Sequence, residues 1–283
     1  MTSPSLLAPT HEPLAEIEQN KVPEITPYFW VIKVLCTTVG ETFADFLSTN
    51  LGLGETWTAV IMAAVLAVAL VFQFRVRRYI PGIYWLGIVL ISIVGTLITD
   101  NLSDHVGVPL LTSTIVFAVV LAATFAGWYA SERTLSIHTI VTRRREGWYW
   151  LTVLFTLALG TAGGDLVSER FGIGYWRAAL LFGGAIVLIG ALRAGLKLNA
   201  VFAFWVAYIL TRPLGASIGD FLSQPKADSG LALGTTVTSL IFLGAILVTV
   251  IFLSITYKDR PRALTPEETV QAEAHLHHHH DSK

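Results

Sequence analysis

VGETFADFLS, residues 39–48, sets two carboxylates, Glu41 and Asp45, four residues apart inside an apolar run. The same shape returns as VGTLITDNLS at 94–103, LGTAGGDLVS at 159–168 and LGASIGDFLS at 214–223. Each copy follows an aromatic-Trp pair, so the four align without a gap on Trp, nine residues, Gly, four residues, Asp, two residues, Ser. The columns are Trp30/Gly40/Asp45/Ser48, Trp85/Gly95/Asp100/Ser103, Trp150/Gly160/Asp165/Ser168 and Trp205/Gly215/Asp220/Ser223. Offsets of 55, 65 and 55 residues describe one unit duplicated twice, with a longer loop in the middle.

The apolar setting of these acids identifies the solvent. The chain is 53% hydrophobic and 14% charged, with a mean hydropathy of +0.63, too apolar to cover a water-facing surface. Segments of about 20 apolar residues, enough to cross a ~30 Å hydrocarbon core, fall at 28–48, 57–74, 83–103, 108–130, 148–168, 175–192, 200–222 and 232–256. The pattern predicts an all-α, polytopic membrane protein with eight transmembrane helices arranged as four parallel-repeat helical hairpins. Its parts are an N-terminal tail (1–27), repeat 1 (28–74), repeat 2 (83–130), repeat 3 (148–192), repeat 4 (200–256) and a His-rich tail (257–283). The first tail is polar and lacks the basic and apolar regions of a secretory leader. The single cysteine, Cys36, excludes an internal disulfide and a zinc-thiolate cluster.

Basic residues gather in RVRRY (75–79), in 131–147, in ALRAGLKLN (191–199) and in YKDRPR (257–262), whereas the alternate connections carry few. The positive-inside rule then predicts both termini in the cytoplasm, across a bacterial cytoplasmic (inner) membrane. An even number of spans per repeat makes the repeats parallel. Each Asp lies about 15 residues, or ~22 Å of helix, beyond its inner-interface Trp, so all four share one depth near the outer side.

On these Trp, Gly, Asp and Ser columns, the chain resembles a family of bacterial integral membrane proteins built from a repeat of unknown function, about fifty residues long and usually present in four copies. The resemblance covers about 28–257. It implies a multi-span bacterial membrane protein and supplies no activity.

Chemistry must therefore come from the residues. Reading back from Asp45 by fours gives Glu41, Thr37 and Lys33, with Ser48 one turn on, a polar stripe along the first span. The matching positions are Ser103, Asp100, Thr96 and Ser92 in repeat 2, then Ser168, Asp165 and Thr161 in repeat 3. Repeat 4 gives Ser223, Asp220, Ala216, Arg212 and Tyr208. Odd spans are thus expected inside and the apolar even spans against lipid. One Asp with a nearby Ser can merely satisfy a helix end, and one Gly can merely admit a close neighbour. Four carboxylates at one depth repel one another and call for a cation, shared protons or a basic partner.

Oxygen donors alone, from Asp45, Asp100, Asp165, Asp220 and Glu41, suit a hard or borderline divalent ion such as manganese, magnesium or calcium. The leading expectation is a membrane transporter of a cation, a divalent metal first, with proton coupling through Glu41. Its path would run by Lys33, Thr37, Thr96, Thr161, Arg212 and the hydroxyls of Ser48, Ser103, Ser168 and Ser223. No covalent cofactor is expected; a bound divalent ion is. The expected partners are the lipid bilayer and a small cation or solute, without nucleic acid, and an oligomer stays open. Two alternatives remain: a proton-coupled organic-solute transporter, and a non-transporting sensor or scaffold. An enzyme is not expected, since HExxH and a phosphate-cradling glycine loop are both missing. HLHHHHDSK, with His275, His277, His278, His279 and His280, reads either as an appended affinity tail or as a loose metal-collecting segment.

Overall fold

A computed structural model describes residues 20–260, and among these it is all-helical, with no strand. The histidine-rich tail lies outside the described residues. Eight long helices follow in order: α1 (Pro27–Asp45), α2 (Glu55–Arg75), α3 (Pro81–Asp100), α4 (Leu110–Glu132), α5 (Arg143–Asp165), α6 (Tyr175–Gly195), α7 (Ala200–Ser223) and α8 (Thr235–Thr256).

Local chemistry sets where they begin. Thr26, Thr142 and Asn199 cap α1, α5 and α7 by accepting hydrogen bonds from first-turn amides, and Pro27 and Pro81 occupy first-turn positions of α1 and α3. Three of the even helices instead start after a glycine with positive φ, Gly54, Gly174 or Gly234, a turn geometry that a side chain would strain.

Seven of the eight are long and apolar enough to cross a membrane. The exception is α1, whose interior carries Lys33 and Glu41 and whose hydropathy falls accordingly. It is also among the most enclosed, which offsets its polarity.

α1, α3, α5 and α7 form a closed inner ring, each against the next and α7 back against α1. The repeated glycines set the spacing. A Cβ at Gly40 would collide with Ser92, one at Gly95 would press on Leu157, one at Gly160 would strike Arg212, and one at Gly215 would strike Thr37. The four residues met are one column of the repeat, three positions before each glycine. Every glycine therefore seats the same position of the next repeat, and the ring has fourfold pseudo-symmetry.

The even helices lie outside: α2 on α3, α4 on α5, α6 on α7 and α8 on α1. This corrects the expected hairpins, because the main partner of each even helix is the odd helix of the next repeat. The connection explains the offset. After Asp45, Asp100 and Asp165 the chain opens into a π-helical turn, at Phe46–Asn50, Asn101–His105 and Leu166–Arg170, and then a short loop that carries it sideways. Asn101 Nδ2 donates to Thr56 Oγ1 at 2.6 Å, tying the start of α2 to the end of α3. Thr235 and Ser239 likewise bond Asn50 and Thr42, fastening α8 to α1. The outer faces are bare of protein contacts: α6 buries only Ala178 and Ala179.

Both described chain ends lie at one end of the bundle, called here the termini end. Residues 20–22, expected as part of a polar tail, are buried there. Lys21 Nζ bonds Glu146 Oε2 at 2.7 Å, Gln73 Nε2 donates to Glu146 Oε1 at 3.0 Å, and the Glu24 amide donates to the Asp259 carbonyl at 3.1 Å.

Candidate functional site

The inner ring is filled in layers, each built from one residue per repeat. Nearest the termini end are Phe29, Tyr84, Tyr149 and Phe204; above them come Lys33, Ile88, Val153 and Tyr208, then Thr37, Ser92, Leu157 and Arg212. The next layer is Glu41, Thr96, Thr161 and Ala216. All sixteen side chains are buried. Beyond them the packing opens into a cup of about 350 Å³ lined by Asp45, Asp100, Asp165 and Asp220, one from each repeat, with Glu41 at its floor. The four repeat aspartates thus face one cavity at the end of the bundle away from the termini.

Oxygens of Glu41, Asp45 and Asp220 come within 4.8 Å of one another, a spacing that one cation can bridge. Asp45 and Asp220 sit on neighbouring helices, α1 and α7, and Gln224 Nε2 donates to Asp45 Oδ2 at 3.5 Å. Of the serine column, Ser48 and Ser103 line the cup. Ser168 is buried and its hydroxyl donates to the Gly164 carbonyl at 2.9 Å, while the buried Ser223 hydroxyl has no hydrogen-bond partner.

The floor is made by Arg212. Its Nε donates to Thr161 Oγ1 at 3.0 Å, Nη1 to the Thr37 carbonyl at 3.2 Å, and Nη2 to Glu41 Oε2 at 2.5 Å and to Thr96 Oγ1. One guanidinium therefore reaches a group from each of the other three repeats, and does so wholly buried. Its fork of donors suits such a many-sided site where a lysine would not. Room comes from the fourth repeat itself, where Ala216 stands in the column that holds Glu41, Thr96 and Thr161 elsewhere. Thr37 Oγ1 adds a bond across α1 and α7 to the Thr211 carbonyl at 3.0 Å.

The residues of the expected path thus divide. Thr37, Thr96, Thr161 and Arg212 meet in one network with Glu41, whereas Lys33 lies below it, its Nζ 4.2 Å from the centre of the Tyr208 ring and without a hydrogen-bond partner. Reading the stripe singled out Glu41 and Arg212 but did not pair them, because they lie 171 positions apart and only ring closure joins them. The alanine replacing a polar residue in the Glu41 column was the available signal. Glu55, Asp104 and Gln224 also line the cup and were not anticipated; Glu55 opens α2, and Asp104 and Gln224 lie in connections, outside the apolar runs that helical spacing was read from. Glu55 and Asp104 join His105 around an adjoining hollow of about 250 Å³.

No curated protein and no solved structure matches the chain. A family model described as a Repeat of Unknown Function (DUF347) matches four times, over residues 28–79, 83–134, 148–196 and 203–259. These are the four copies that the Trp, Gly, Asp and Ser columns mark out, and the chain belongs to the family defined by that repeat.

Proposed function

We propose that the protein is an eight-span cation transporter in which the acidic cup receives the cargo, a divalent metal ion first, and the Arg212 network closes the way beyond it. α1 counts as a span on this reading, its polar groups satisfied by the surrounding ring. Positive-inside reasoning puts the termini end in the cytoplasm, because Arg75, Arg77, Arg78, Arg143, Arg144, Arg145, Lys258 and Arg260 cluster there. The cup then faces outward across a bacterial inner membrane.

The observation that carries the proposal is the cup and floor together: seven carboxylates around one cavity, Asp45, Asp100, Asp165 and Asp220 one from each repeat, with the buried guanidinium of Arg212 beneath them bonded to Glu41. Clustered carboxylates gain most from a multivalent cation, and oxygen-only donors favour a hard one. A cation that reaches Glu41 competes with Arg212 for it. Release of the guanidinium would loosen contacts to three repeats at once, which links cargo binding to opening of the floor. An organic cation is the second reading, favoured by a volume of about 350 Å³, more than a bare metal ion fills.

The test is uptake by proteoliposomes holding the full chain, with Mn²⁺ and a small quaternary ammonium ion as separate probes, for wild type and Asp100→Asn. Saturable Mn²⁺ uptake that the variant lowers about tenfold or more in affinity supports the first reading. Uptake of the ammonium ion alone supports the second. Binding without movement of either ion would leave a sensor, and indifference of both probes to Asp100→Asn would remove the cup from the function.

A further inference from the structure

Below the Arg212 floor the ring is solid, yet it is not wholly apolar. Where repeats 1 and 4 place Phe29 and Phe204, repeats 2 and 3 place Tyr84 and Tyr149, whose hydroxyls bond each other at 2.5 Å. The Tyr208 hydroxyl, one layer higher, sits beside that of Tyr149 without a well-aligned bond. Over the Tyr208 ring lies the Lys33 amine, also unpartnered, with the Cys36 thiol and Arg212 as its other titratable or charged neighbours. Toward the termini end, the Tyr79 ring meets the Tyr84 ring edge-on at 5.6 Å between centres. The Tyr79 hydroxyl accepts from Trp85 Nε1 at 3.1 Å and donates to Asp259 Oδ2 at 2.5 Å. Asp259 is covered but shallow, and its second oxygen has no hydrogen-bond partner.

An apolar residue would pack at less cost than an unbonded amine or phenol in such a core. Two orphaned groups side by side, in line with a bonded tyrosine pair, need a reason beyond packing. We propose that Asp259, Tyr79, Tyr84, Tyr149, Tyr208 and Lys33 form a proton relay joining the termini end of the bundle to the Glu41–Arg212 pair. The relay rests on the reading of the cup as a cation site only for its purpose, which is to return protons against the cargo. Each hydroxyl passes its proton to the next oxygen and takes one from the group behind, so one proton enters at one end, one leaves at the other, and every phenol returns to its neutral form. Lys33, on a four-carbon stem, takes the proton from Tyr208 and hands it to Glu41 when Arg212 has moved off. Only the Asp259–Tyr79 and Tyr84–Tyr149 steps have a direct hydrogen bond, so the steps from Tyr79 to Tyr84, from Tyr149 to Tyr208, from Tyr208 to Lys33 and from Lys33 to Glu41 are the gated ones.

The test reads proton movement apart from cargo. Full-length protein in vesicles with an internal pH dye receives a membrane potential, with and without external Mn²⁺. The wild type is expected to pass protons under at least one condition. Tyr149→Phe keeps the ring and removes only the hydroxyl, and should cut the flux about tenfold or more, as should Lys33→Met, while Mn²⁺ binding by the purified protein stays unchanged. Tyr84→Phe serves in place of Tyr149→Phe if that variant proves unstable, and Tyr28→Phe, at the exposed edge, should change nothing. Absence of wild-type flux under both conditions overturns the relay, as does flux that ignores all three core substitutions. Failure of the cargo reading looks different: no Mn²⁺ binding by the wild type, alongside a proton flux that still depends on Tyr149.

Discussion

The acidic cup and the layer beneath it are built by the same four helices, yet one repeats and the other does not. At the cup, Asp45, Asp100, Asp165 and Asp220 are identical in type and level. One turn below, the matched positions are Glu41, Thr96, Thr161 and Ala216, and a turn further Thr37, Ser92, Leu157 and Arg212. Repetition makes the cup a shared basin to which each repeat adds one carboxylate. Departure from repetition makes the floor a lock, since a guanidinium can enter the ring only where one copy supplies arginine and also withdraws the side chain above it. Symmetry collects charge here, and its loss closes the axis.

The sharpest way to break this contrast is Arg212→Gln. It leaves Glu41 buried without its ion-pair partner and Thr96 and Thr161 without their donor, and should cost about 3–5 kcal/mol of stability in detergent unfolding. Arg212→Gln with Glu41→Gln should recover part of that loss, because no unpaired charge then remains. An unfolding midpoint equal to the wild type in the single variant would mean that the floor is not held by this pair.

Next in size are the glycines that hold the ring together. Gly215→Ala forces a methyl onto Thr37 and the Thr38 backbone, and should destabilise by about 1–3 kcal/mol. Gly190→Ala on the outer helix meets open space and should be neutral or slightly stabilising through helix propensity. Equal effects in the same unfolding assay would refute the claim that the repeat glycines are seats for the next helix.

At the cup, neutralising single aspartates compares the copies directly. Asp100→Asn and Asp165→Asn should each weaken Mn²⁺ binding about tenfold, or ~1.4 kcal/mol, by titration calorimetry. Asp45→Asn and Asp220→Asn should cost more, because these two share the tight group with Glu41. Equal losses at all four would mean that the cup binds by total charge and not at one corner.

The smallest effect concerns the termini end. Burial holds the Asp259 carboxyl above its ordinary value of 3.8, with the Tyr79 hydrogen bond opposing, and burial likewise raises the Tyr79 phenol. The folded protein therefore keeps a proton that the unfolded chain gives up, so this carboxyl's stabilising contribution is fullest in acid and declines as pH rises from about 4. Asp259→Asn should remove that decline. Midpoints measured over a pH series that fall in parallel for both proteins would exclude it as the source.

Much of this architecture was legible in the chain because membrane helices announce themselves by length and composition, and because four copies of Trp, Gly, Asp and Ser fix depth without any contact being known. Inside and outside were likewise readable from the polar stripe. Three features were not. The partner of Arg212 depends on which helices close the ring. The placement of α2 over α3 depends on a π-helical turn whose extra backbone residue has no sequence period. The lining of the cup by Glu55, Asp104 and Gln224 depends on connections and on the first residue of α2, where neither helical spacing nor hydropathy constrains a side chain. Tyr84 and Tyr149 illustrate the same limit, since an aromatic pair near an interface reads as a lipid anchor until the ring turns it inward.

The return of α8 onto α1 has a consequence for the number of copies. Repeat proteins that stack in a line need special terminal units to shield the faces left open, and they can lengthen or shorten by one unit with little penalty elsewhere. Here the last copy lays its outer helix on the first, so no face is left open and no copy is terminal. A fifth unit would have to widen every glycine seat, and a third would have to tighten them all. Copy number is thereby a geometric constant of the fold, set by the angle at which one helix rests against the next.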